Sequence, residues 1–173
     1  QAVHRVAARL IASDDRVDVF ELAAFHVLGR HLTDQRNAAA SAGSGIHSLA
    51  PLRSEAELVL SAVAWSGAGD ADAAKAAFNE GVRGLPGSVG AVRLRDGGAI
   101  DLEDVDAALE RLRRAAPGVR RRLLTACADA VTHDAEIRVA EVEMLRAVAE
   151  ALDCPMPPVA VPGLTPAFVT TVP

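Results

Sequence analysis

Apolar residues recur along this chain at intervals of three and four, the spacing that gathers them on one face of an α-helix. Val3, Val6, Ala7, Leu10 and Ile11 mark a first amphipathic helix over about 2–13. Leu22, Phe25, Leu28 and Leu32 mark a second over about 19–32. Asp18 is its expected N-cap, and Glu21, three residues on, completes a capping box with Asp in place of Ser or Thr. Residues 33–53 are rich in Ala, Ser, Gly and Asn and read as a mobile loop. A third helix is expected after Ser54, with Glu57 closing a capping box, and runs to about Trp65. Asp70 caps a fourth that stops at Gly84 and Pro86. Residues 85–100 hold Gly87, Gly90, Gly97 and Gly98 and read as a second loop, in which a strand around 91–94 would lack partners.

Asp101 caps a fifth helix, with Leu102, Val105, Leu109 and Leu112 inward, and Pro117-Gly118 break it. A sixth over about 119–132 turns Val119, Leu123, Cys127, Ala130 and Val131 inward. A seventh over about 138–152 does the same with Val139, Val142, Leu145, Val148 and Leu152. The pattern therefore predicts an all-α domain of about seven helices over 1–154 and a Pro-rich, non-helical tail over 155–173.

Composition agrees. Half the residues are apolar, Tyr is absent and aromatics make up only 3%, which favours helix over strand. A chain of this length buries roughly 70% of its unfolded surface, so no disulfide or metal staple is needed. A net charge of −5 argues against general nucleic-acid binding. No apolar run approaches the roughly 20 residues that span a bilayer, and no signal peptide is visible. Cys127 and Cys154 form no C-x-x-C pair and read as reduced thiols, with a bridge between them left open. The start at Gln1 rather than Met suggests a fragment of a longer protein.

The first two helices and the last two overlay at an offset of 120 without a gap. Val3 meets Leu123, Ile11 meets Val131, Asp14 meets Asp134, Val17 meets Ile137, Glu21 meets Glu141 and Leu32 meets Leu152. Each half is a helical hairpin whose turn carries an Asp, then a β-branched residue, then a Glu in the first turn of the next helix. One reading is structural: the Asp accepts backbone N–H groups, Val17 or Ile137 fills the gap between helices, and the Glu faces the positive helix end. A second reading is divalent-cation binding by Asp14, Asp18, Glu21, Asp134 and Glu141, although neither turn has the spacing or sixth-position glycine of an EF-hand. A third is contact with a partner.

Catalytic patterns do not occur. His26 and His31 are five apart without the Glu of H-E-x-x-H, and there is no G-x-S-x-G or Walker-type loop. Arg111, Arg113, Arg114, Arg120, Arg121 and Arg122 could meet anionic lipid or an acidic partner, or form a solvated, salt-bridged surface. Three consecutive arginines span about 200° of a helix and cannot share one stripe.

The run from Ala12 to Glu21 resembles the first acidic motif of tellurite-resistance TerB-like domains, and His133 to Glu141, continuing through Ala149, resembles the second. Where that family usually has Asp-Gly, this chain has Asp15 and Ala135 after the Asp. Leu123 to Ala128, the acidic turn, and Ala151 to Pro158 further resemble the cytosolic C-terminal region of bacterial membrane zinc metallopeptidases of the HtpX and CAAX-prenyl-protease type. The resemblance implies a TerB-like fold. It also implies a non-catalytic accessory, regulatory or partner-binding region whose H-E-x-x-H site lies upstream, with no cofactor of its own. Its partner would be the protease body or another protein, on the cytoplasmic side of a bacterial membrane. The alternative is a stand-alone cytoplasmic module that senses a divalent cation or small ligand through its acidic turns.

Overall fold

The computed structural model describes residues 46–134 and 136–159. The helices expected over 2–13 and 19–32, with Asp14, Asp18 and Glu21, lie outside the described residues, and so does the first half of the repeat. Within the described residues the protein is all-α, with five α-helices. The organising element is α1, Arg53–Ser66. Its Ala56, Leu58, Val59, Leu60, Ala62, Val63 and Ala64 are all buried, so apolar side chains leave it on nearly every side. A helix of that kind belongs in the interior. Four helices pack against it: α2, Ala71–Arg83; α3, Leu102–Leu112; α4, Pro117–Val131; and α5, Val139–Ala151. Full burial of a side chain such as Leu60 contributes about 1.5–3 kcal/mol, and Leu109, Leu112, Leu123, Leu124, Leu145 and Leu152 join it in one core.

Helices α2 and α4 approach each other closely. A Cβ at Gly81 would stand 2.7 Å from the Ala126 carbonyl oxygen and 3.2 Å from the Ala130 methyl, so only glycine permits this approach. Asp70 caps α2 by accepting the Ala73 N–H at 2.8 Å, and Asp101 caps α3 by accepting the Glu103 N–H at 2.7 Å, both as the sequence indicates.

Several expectations need correction. The described end of the predicted mobile loop is packed. Ile46 pairs with Ala115 in a β-bridge, Leu49 and Leu52 are buried, and Ala50–Leu52 forms a short 3-10 turn. The apolar residues at 46, 49 and 52 outweigh the Ala/Ser/Gly composition around them. Pro117 opens α4, two residues before the expected start, because a helix's first N–H is unbonded and proline lacks one. Val139 does not face inward. It is 76% exposed, and Ile137 packs against the core instead. Val139 is the first residue of α5 and precedes its buried face, which begins at Glu141. The expected inward positions of α4, and Leu145, Val148 and Leu152 of α5, are buried.

The anticipated capping box at Ser54 and Glu57 is also absent. The N-cap of α1 is Leu52, with no side-chain hydrogen bond. Ser54, Glu57, Ser61 and Trp65 instead form one stripe along α1, at spacings of three and four, and residues 91–95 lie along it. Glu57 accepts the Arg93 N–H at 3.1 Å, the Ser61 hydroxyl accepts the Arg95 N–H at 3.1 Å, and the Trp65 indole N–H donates to the Arg95 carbonyl at 2.9 Å. The Arg95 guanidinium reaches back to Glu57, to the Ser54 hydroxyl and to the Ser54 carbonyl. Gly97 lies against the Trp65 ring, where a Cβ would come within 2.9 Å. The segment belongs to no helix and pairs with no strand among the described residues.

Candidate functional site

The turn between α4 and α5 carries Asp134, and the first turn of α5 carries Glu141; these are the two described members of the predicted acidic set. Its geometry starts at the end of α4. The Thr132 hydroxyl donates to the Ala128 carbonyl at 3.0 Å, and His133 Nδ1 lies 2.9 Å from the Ala130 carbonyl oxygen. These contacts occupy carbonyls that the helix end leaves open. Asp134 then accepts the Glu136 N–H at 3.0 Å, which bends the chain as a side-chain-mediated turn.

Arg138 follows in extended conformation as the N-cap of α5. Its own side chain is only a donor, so the cap is supplied in reverse: Glu141 accepts the Arg138 N–H at 2.7 Å. That is half of a capping box, built from its Glu. The Arg138 guanidinium turns back among the carboxylates, 3.7 Å from Asp134, 3.6 Å from Glu136 and 3.7 Å from Glu141. The chain thus places a cation of its own at the centre of the acidic turn.

Glu141 is the least exposed member, with 4% of its surface accessible. It lies over Gly67, just beyond α1, where any Cβ would overlap its carboxyl group. Burial pushes its carboxyl above the usual carboxylate range, and the Asp134 charge adds to this. The Arg138 N–H, the Arg138 guanidinium and His133 oppose the shift without cancelling it. Gly67 and Arg138 are the two residues of this arrangement that the turn pattern did not identify. The signal for Gly67 was no more than a glycine after a helix.

A hard divalent cation wants several oxygen ligands converging on one point. Among the described residues no three His, Cys, Asp or Glu side chains converge in that way. What Asp134 and Glu141 share is the guanidinium of Arg138. Asp14, Asp18 and Glu21 lie outside the described residues.

The other chemical groups singled out from sequence are dispersed. Arg111 pairs with Glu55 of α1 at 2.9 Å and Arg113 with Glu110 at 3.5 Å. Arg120 donates to the Leu152 carbonyl at the end of α5, at 2.6 Å. It completes a C-cap in which Cys154 N–H bonds the Ala149 carbonyl and Asp153 takes a positive φ of 53°. Arg121 and Arg122 are exposed on α4. Arg111, Arg113 and Arg120 are thus engaged within the chain. Both cysteines are free thiols. Cys127 is fully buried, and desolvation, with the Asp129 charge nearby, pushes its thiol up to about 12. It stays protonated and unreactive.

Comparison of the chain with protein-family models, with curated proteins and with solved structures returned no match.

Proposed function

We propose that this chain is a non-catalytic helical module that works by docking another protein, as an accessory or regulatory region of a bacterial membrane zinc metallopeptidase. The observation that carries the docking role is the internal neutralisation of the α4–α5 turn. Asp134, Glu136 and Glu141 are engaged by Arg138 and by backbone N–H groups, which favours an architectural use of the acidic residues over a sensing one. The connection to a membrane protease is supported by the resemblance of Leu123–Ala128, the acidic turn and Ala151–Pro158 to the C-terminal regions of such enzymes. No helix among the described residues is long and apolar enough to cross a membrane.

The test is the genomic DNA on the 5′ side of the Gln1 codon. An in-frame sequence encoding membrane spans and H-E-x-x-H supports the reading. A start codon immediately before Gln1 overturns it and makes the cation-sensing alternative the leading one.

A further inference from the structure

Among the described residues, 91–95 are hydrogen-bonded along one edge only. The N–H groups of Arg93 and Arg95 and the carbonyl of Arg95 all turn toward α1, to Glu57, Ser61 and Trp65. Engagement of every second residue is the period of an extended strand, in which alternate residues address opposite edges. Val92 and Leu94 therefore turn their N–H and C=O groups the other way. Neither residue's backbone makes a hydrogen bond with the described residues. Among the described residues this outer edge is therefore unpaired, and Val92 and Leu94 are half-buried. The side chains alternate as well: Val92 and Leu94 pack against the core, while Arg93 is exposed. Gly90, at φ 79°, and the turn Gly97–Ala99 bracket the segment and limit it to about one short strand.

We propose that this outer edge docks an extended segment of a partner protein, which adds to it as a short antiparallel β-strand and places an acidic residue opposite Arg93. Main-chain bonds from Val92 and Leu94 would hold the added strand, and side-chain pairing would select it. The residues of the added strand opposite Val92 and Leu94 share their face and should be apolar. The residue opposite Arg93 shares the solvent face. Arg95 has its charge met by Glu57, whereas Arg93 makes no ion pair with the described residues, so an acidic residue is the favoured neighbour. A second copy of this chain is the poorer occupant, because two-fold pairing centred on position 93 sets Arg93 against Arg93. This inference names a surface and a partner class for the docking role proposed above and rests on that role, but not on the identity of the parent protease.

The test is a nuclear magnetic resonance titration of the whole chain with three capped peptides: Thr-Val-Asp-Val-Thr, its counterpart with Lys for Asp, and the Asp peptide methylated on both valine nitrogens. The expected result is selective shifts and gained exchange protection at the Val92 and Leu94 amides. The Asp peptide should bind about threefold more tightly than the Lys peptide, and the methylated one not at all. Arg93→Glu, a change on the exposed face, should reverse the order of the charged pair. Equal binding of the methylated peptide, or no response at Val92 and Leu94 to any peptide, overturns the proposal. Protection of those amides in the free chain together with concentration-dependent dimerisation also overturns it, in favour of the second copy. None of these outcomes bears on the upstream DNA, so the two proposals fail separately.

Discussion

The starts of α1 and α5 look alike in sequence and are built in opposite ways. Ser54-Glu55-Ala56-Glu57 has the form of a capping box, yet neither end of it caps the helix. Arg138-Val139-Ala140-Glu141 has the wrong residue at the cap, yet its Glu makes half of a box. The difference lies in what anchors the incoming chain. Before α1, burial of Leu49 and Leu52 fixes the 3-10 turn, and the helix begins at Arg53. Ser54 and Glu57 are then already inside the helix, and their side chains reach sideways to Arg95. Before α5, the Asp134 turn delivers Arg138 with a free N–H, and Glu141, held over Gly67, is its acceptor. A capping motif is thus a local offer that apolar anchoring upstream can overrule.

The largest effect that would break this comparison is expected at Arg95. Arg95→Ala removes bonds to Glu57, the Ser54 hydroxyl and the Ser54 carbonyl, and leaves a half-buried carboxylate without its ion pair. The expected loss is about 2–3 kcal/mol. If the stripe on α1 serves the extended segment rather than the helix start, hydrogen exchange should accelerate over 91–98 and stay unchanged over 53–57. Acceleration at the helix start instead would restore the capping box to α1.

Glu141→Ala should cost less, about 1–2 kcal/mol, with its effect placed the other way round. Here the first turn of α5 should lose exchange protection, since the Arg138 N–H loses its acceptor. A uniform loss of protection across the chain would mean that Glu141 serves packing over Gly67 more than the helix start. Chemical denaturation of both variants, with exchange measured residue by residue, makes the pair directly comparable.

These two helix starts also mark how far the sequence can be read. The helix faces were legible because burial follows the three-and-four spacing, as where Val105, Leu109 and Leu112 repeat on one buried face of α3. Asp70 and Asp101 were legible because each needs only a backbone N–H two or three residues away. The use of Glu57 was not, because its partners Arg93 and Arg95 are far along the chain and only the tertiary fold brings them together. The stripe Ser54, Glu57, Ser61 and Trp65 runs through a helix whose middle, Leu58–Ala64, is otherwise apolar, and it was the available clue. At the acidic turn, Asp134 and Glu141 were identified as a pair, whereas the place of Arg138 between them depends on a side-chain rotamer that spacing does not encode.

A smaller effect follows from protonation of Glu141. Burial raises its carboxyl pKa above the ordinary 4.5, so the folded chain holds this proton more tightly than the unfolded one. The contribution to stability is therefore fully present below the unfolded value and is lost as pH rises through the folded one. Glu141→Gln keeps an oxygen for the Arg138 N–H and cannot ionise. The difference in Tm, variant minus native, should grow as pH is raised from about 4 to about 7. A difference that shrinks over that range would mean that the Arg138 pairing outweighs burial and holds the carboxyl below its ordinary value.

The smallest effect is expected from Arg138 itself. Its guanidinium is half exposed and holds three carboxylates at 3.6–3.7 Å, so Arg138→Ser should cost no more than about 1 kcal/mol, and less at high salt. Its value lies in separating an internal cation from an external one. With Arg138 in place, Ca²⁺ or Mg²⁺ should leave the Tm contribution of this turn unchanged, because a divalent ion would have to displace the guanidinium. A cation bound at about 100 times its Kd would add about 2.7 kcal/mol, well above the resolution of a melting curve. A rise of that size in the native chain, lost in Asp134→Asn, would show that an ion can take the centre of the turn from Arg138. A rise that survives Asp134→Asn would belong elsewhere, with Asp14, Asp18 and Glu21 as the residues to change next. The same melting series therefore compares the two acidic turns of the repeat, which differ at this position: Arg138 in one stands where Asp18 stands in the other.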